Sequence, residues 1–215
     1  MIKLAHAVYD EAGRSSGGKP GDSTGKEVAI WDWYKSGTGW TSVIRAKDKA
    51  VASRIAQVAK DIANNNHIGY NQYNRLSLFK QAQAVNFDIS KIKVNCDTDC
   101  SAMVAVCINA SGIKISSSIS TATQLNAIKA TKQFDILTDK KYLTSAKYLQ
   151  EGDILWRQGH TAVVVDIPTV KDLQIKLNEF GYGLTEDGIR GKKTNTAIDD
   201  LHMRVKAIDD MIAKL

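Results

Sequence analysis

Residues 100–112 read CSAMVAVCINASG. The run is apolar on nearly every side of a helix, and a helix with no polar face is stable only when other elements cover it all round. Gly112 supplies a stop, since helices commonly end with a left-handed residue just past the last turn. A chain carrying this segment must build a layered core around one central helix. At 215 residues it has room for one sizeable domain and a small second one.

The rest of the pattern supplies the layers. KDKAVASRIAQVAKDIANNN puts Val51, Ile55, Val58, Ala59 and Ile62 on one face, which predicts a helix from about 47 to 64. NRLSLFKQAQAV predicts a weaker helix, and another is expected near 121–132. EVAIWDWY suits a short strand, and GDILW and HTAVVVD, separated by RQG, read as a hairpin. Residues 13–26, GRSSGGKPGDSTGK, read as a surface loop. Pro168 opens a linker to a helical tail, and no repeat of 20–50 residues is present.

The central helix carries two of the three cysteines, and all three fall between residues 96 and 107. A disulfide leaves one thiol over, and C-x3-C is not the usual zinc-ribbon spacing. The four histidines, at 6, 67, 160 and 202, are scattered. No metal and no cofactor is expected. Cys107 lies two turns after Cys100, between Val106 and Ile108, and reads as a small core residue. Cys96 stays open. Cys100 differs, because Thr98 and Asp99 are capping residues that place it in the first helical turn. There the unpaired N–H groups and helix dipole favour an anion, and a thiol pKa can fall from about 8.5 to below about 7.5. The same N–H groups can hold an oxyanion. The expectation is an ionised sulfur placed for acyl chemistry.

Such a nucleophile needs a base. His160 begins a strand after a turn, and on a strand residues 160, 162, 164 and 166 face one way. It can project from the strand edge toward the helix end. His6, His67 and His202 have no comparable setting in the sequence.

DCSAMVAVC, followed some fifty residues later by LQEGDILW and GHTAVVV, resembles the papain-like peptidoglycan hydrolases of NlpC and CHAP type. GRSSGGKPGDSTGKEV resembles phage endolysins of that kind. The resemblance implies an α+β fold for residues 1–167, with helices packed on a small antiparallel sheet. It makes Cys100 the nucleophile, His160 the base and Gly152-Asp153 the strand entry, with Asp99 and Ser101 as substrate contacts. That family orients its histidine with a third polar residue, often His, Asn, Asp or Glu on the next strand. Little chain remains here to supply one. Asp166, on the same face as His160, is the nominee; an N-terminal residue or a backbone carbonyl are the alternatives.

Residues 168–215 resemble the first part of a peptidoglycan-binding-domain-1 module. The match runs through Val170, Leu173, Gln174, Leu177, Gly181, Tyr182, Asp187, Gly188, Gly191, Thr194 and Ala197. Thr194 is expected to cap the second helix of this small helical domain, and Tyr182 either contacts sugar or packs in the core. The final HMRVKAIDDMIAKL extends as a charged helix that can pack on the first domain or self-associate.

Charge agrees with such a partner. The net charge is +6, and from Thr169 onward eight Lys/Arg balance eight Asp/Glu, so the excess lies in residues 1–168. A basic body fits an anionic polymer such as bacterial peptidoglycan. Nucleic acid is not expected, since no zinc finger, RNP motif or dense Lys/Arg block occurs. No apolar run approaches 18 residues, so no membrane insertion is expected. The N-terminus lacks a secretory pattern, and the expectation is synthesis in a host cytosol with action on the wall after release. The sequence therefore predicts an endolysin-type amidase or peptidase. A non-catalytic wall-binding or phage structural protein, and a papain-like acyltransferase or transglutaminase, stay open as alternatives.

Overall fold

The longest strand of the first unit is HTAVVVD, His160–Asp166, and the main sheet is assembled around it. The computed structural model describes residues 2–167 and 169–213. The chain divides into two compact units, Met1–Ile167 and Pro168–Leu215.

In the first unit the strands are β1 (Lys3–Ala7), β2 (Val28–Asp32), β3 (Ser42–Ala46), β4 (Ile68–Tyr70), β5 (Cys96–Thr98), β6 (Phe134–Leu137), β7 (Ile154–Arg157) and β8 (His160–Asp166). Six of them form one antiparallel sheet in the order β2-β1-β8-β7-β3-β6, and β4 and β5 pair in parallel beside it. The helices are α1 (Lys49–Ala63), α2 (Ser77–Ala84), α3 (Cys100–Ala110), α4 (Thr121–Ala130) and α5 (Lys140–Leu143). The fold is α+β, as expected.

Each predicted helix forms close to its expected bounds. Asp48 starts α1 by accepting from the Ala50 N–H at 2.6 Å, and the buried face is Ile55, Val58, Ala59 and Ile62. In α3 every residue from Ser101 to Ile108 is buried, and Gly112 follows with φ +91°. α1 and α3 cover one face of the sheet, where Ala5, Ile44, Ile154, Val163 and Val165 join their core. Each fully buried Ile or Met there contributes about 1.5–3 kcal/mol. The opposite face carries a smaller cluster of Leu4, Trp40, Val43, Leu155, Ala162 and Val164. Alternation along β8 assigns its residues to the two faces in turn.

Gly152 explains itself by space. Its φ is +80°, and a Cβ there would stand 2.2 Å from the Ala52 carbonyl oxygen of α1. Asp153 beside it is 1% exposed and takes the Arg45 guanidinium at 2.8 and 2.7 Å. This Gly-Asp pair is a packing device.

The 13–26 segment is less simple than a surface loop. Its tip is exposed, but Asp22 is buried and accepts from the backbone N–H groups of Thr24, Gly25 and Glu27 at 2.7–2.9 Å. The carboxylate organises the loop in place of regular structure.

The second unit has two helices, α6 (Val170–Glu179) and α7 (Lys192–Ile212). Thr169 and Asp172 form a capping box at the start of α6. Gln174, 2% exposed, ties the connecting loop by donating to Asp187 Oδ1 at 2.8 Å and accepting from the Gly188 N–H at 2.8 Å. Thr194 is not a cap: Gly191 holds that position, and Thr194 lies inside the first turn of α7 with its hydroxyl 3.3 Å from Gln174 Nε2. Val205, Ile208 and Ile212 lie exposed along the end of α7.

Candidate active site

Helix α3 begins at Cys100 because Asp99 caps it. Asp99 is extended, and its Oδ1 accepts from the Ala102 N–H at 2.7 Å and from the Ser101 hydroxyl at 2.9 Å. The Arg75 guanidinium pairs with Asp99 Oδ2 and donates to Ser101 Oγ at 3.0 Å. It also donates to the Ser118 and Ile119 carbonyls. Asp99 and Ser101 do line the cavity, but their polar atoms are spent on each other and on Arg75.

Cys100 is half-buried and opens onto a cavity of about 870 Å³ that His160 also lines. The backbone N–H groups of Thr161 and Ser101 act on its sulfur to lower its pKa. Burial outweighs them, and the Asp99 charge adds to it, so the thiol is pushed up to about 12. The expected pre-ionised thiolate is therefore corrected to a neutral thiol: desolvation at this helix start exceeds what the N–H groups return.

His160 is the first residue of β8 and shares the face of Ala162 and Val164. Its ring stacks on Trp40, with centroids 5.6 Å apart and planes at 28°. It lines the same cavity as Cys100. Burial first, and the nearby Arg157 charge second, lower its pKa to about 4.

What orients His160 is Tyr34. The phenol oxygen lies 2.8 Å from His160 Nε2 and 2.8 Å from His6 Nδ1. A phenol has one hydrogen, so it donates to one ring and accepts from the other. When it donates to His6, His160 carries its proton on Nε2 and Nδ1 is a free acceptor. His6 is 1% exposed, and burial first and the His160 charge second lower its pKa to about 3. Both rings are neutral at pH 7. Trp40 secures the phenol's own segment by donating Nε1–H to the Tyr34 carbonyl at 2.9 Å.

Asp166 does not reach this place. It stands at the other end of β8, six residues or roughly 20 Å along the strand from His160. Its carboxylate is 3.4 Å from Lys60 Nζ on the surface. Tyr34 and His6 come instead from the N-terminal region. His6 has a setting that only strand pairing creates, because β1 lies beside β8. The signal available in the sequence was the aromatic run WDWY with Trp40 close behind, an unusual density for a surface strand.

Of the other thiols, Cys107 is fully buried in α3 and Cys96 is buried in β5, its thiol pushed up to about 12 by burial and by Asp97. All three cysteines are free. Tyr182 belongs to the second unit, where it lines a separate cavity of about 530 Å³ with Lys192, Lys193 and Asp200. Its hydroxyl donates to Asp200 Oδ2 at 2.8 Å. Among the described residues no group of three His, Cys, Asp or Glu could hold a metal ion, and no helix is long and apolar enough to cross a membrane.

No curated protein and no solved structure matches the chain. One family does, the endolysin-like domain, whose model matches residues 4–169. That span contains the sheet, the cysteine-led helix and every residue of the larger cavity, and the chain belongs to the endolysin-like domain family.

Proposed function

We propose that the protein is a phage-type peptidoglycan hydrolase that cleaves an amide bond of the wall peptide through Cys100 and His160. The observation that carries this reading is the shared cavity. A cysteine at a capped helix start and a histidine held by a phenol open onto one space. Membership of the endolysin-like family supports the substrate, and the basic charge of the first unit suits an anionic wall.

In this reading the neutral thiol gives its proton to His160 Nδ1 as the sulfur attacks the amide carbonyl. Asp99 consumes the Ala102 N–H and the Ser101 N–H acts on the sulfur, so the Cys100 N–H is the one left to receive the oxyanion. The imidazolium is stabilised by the Tyr34 oxygen, which accepts from Nε2–H. His160 then protonates the leaving amine and a thioester remains. Water hydrolyses the thioester with His160 as base, freeing the acid and restoring the thiol.

The second unit acts as a wall-binding module that raises the local concentration of substrate. Its cavity, with Tyr182 on the wall and two lysines at the rim, supports a sugar contact for Tyr182. The experiment that tests the whole reading is digestion of purified walls with mass spectrometry of the released muropeptides. New amine and acid ends at one bond are expected. Intact muropeptides, or new amide bonds in place of free acids, sink it.

A further inference from the structure

The cavity around Cys100 has an uneven charge. Lys35, Arg75 and Arg157 line it, and Asp99 is the one carboxylate among the described lining residues. Asp99 is already paired with Arg75. Arg157 and Lys35 have no acidic partner within salt-bridge distance among the described residues.

Arg157 is also held in place. Its Nε donates to Ser36 Oγ at 2.9 Å, and Nη1 donates to the Gln158 carbonyl at 2.8 Å. Nη2 makes no hydrogen bond to the described residues, and Arg157 as a whole is half-buried. Gly37 lies against that end: a Cβ built there would be 3.4 Å from Nη2. A fixed, partly desolvated cation without a counter-charge is costly unless something anionic completes it. A guanidinium with a free edge suits a carboxylate.

Its position assigns the side. Arg157 is the register partner of His160 across β7 and β8. In the proposed reaction His160 hands its proton to the leaving amine, so the fragment bearing that amine lies on the His160 side of the sulfur. We infer that Arg157, with Lys35 at the rim, forms a subsite for a free carboxylate on the leaving fragment of the peptide. The enzyme would thus select stems that present an acid beyond the cut and discriminate against stems whose acids are amidated. This rests on the reading of the cavity as the peptide-cleaving site.

The test separates the two ideas by measuring binding in protein that cannot react. Full-length Cys100→Ala is titrated calorimetrically with stem tetrapeptides from bacterial walls, as free acids and with every carboxylate converted to carboxamide. The free acid is expected to bind about tenfold or more tightly, as for a charge-assisted pair. Adding Arg157→Gln should shrink that ratio to about twofold or less, with Arg157→Lys intermediate because charge remains and the fork is lost. Thermal melts confirm that each variant is folded. Equal affinity for the two peptides, binding of neither, or an undiminished ratio in Arg157→Gln overturns the subsite. Inactivity of the unaltered protein on walls would overturn the hydrolase reading alone, since the preference is read without the sulfur.

Discussion

Tyr34 holds His160 from the far end of the chain: 126 residues apart in sequence, the phenol oxygen and Nε2 are 2.8 Å apart. The contact fixes the ring, and the direction of the phenol's hydrogen bond to His6 sets which nitrogen of His160 is protonated. Tyr34→Phe keeps the aromatic volume and removes only the oxygen. It should lower kcat roughly 10- to 100-fold with KM nearly unchanged, the signature of a positioning group. Asp166→Asn should leave both constants as they are. The reverse pattern, with loss in the Asp166 variant and none in Tyr34→Phe, would restore the strand residue as the orienter.

Cys100→Ala should abolish wall lysis, by about 10³-fold or more, while the melting temperature stays close to that of the parent. Cys107→Ala should do the opposite, trimming a fully buried side chain and lowering stability with little effect on rate per folded molecule. Undiminished lysis by Cys100→Ala would favour a non-catalytic wall binder.

The pH dependence follows from His160. An imidazole with its pKa lowered to about 4 stays neutral, and so able to accept a proton, well below the usual range near 6.5. On a soluble peptide substrate, kcat/KM should hold from neutrality down to about pH 5 and fall through about pH 4. An acid limb centred near 6.5 would show that the site is wetter than its packing implies.

Glu27 should titrate in the stability curve. It is 2% exposed, and burial, opposed by the Tyr70 N–H and reinforced by Asp22, Glu11 and Asp97, raises its pKa to about 7. Folding therefore disfavours its charged form. The penalty is absent below about pH 4, grows as pH rises toward 7 and is constant above. Glu27→Gln removes it, and should raise the melting temperature at pH 8 by about 2–4 °C while giving no advantage at pH 4. A gain that is the same at both values would refute the charge as the cause.

The helices and the last hairpin were legible because their signals are local. Asp48 and a 3.6-residue period mark α1, unbroken apolarity marks α3, and Gly159 with φ +87° turns β7 into β8. Cys100 and His160 were legible for the same reason, each standing at the first residue of an element. Strands β1, β3 and β6 were not, since runs such as KLAHA and FDIL are too short for a period to speak. The orienting contact was not legible: Tyr34 lies just past β2 and meets His160 only because β1 pairs with both β2 and β8, and no local pattern encodes that. Asp166 was chosen by parity along one strand, which gives the facing direction and ignores the distance.

The sulfur sits on a helix enclosed on all sides, so its coordinates are inherited from the deepest packing in the molecule. Host walls differ in their peptides, and an enzyme that meets a new one must change what borders the cleft. In this architecture that freedom falls to the segments around Ser15, Lys35 and Ser120, which reach the opening from loops. Retargeting by exchange of these rim segments can therefore proceed while the cysteine, its helix and the strand beneath stay untouched.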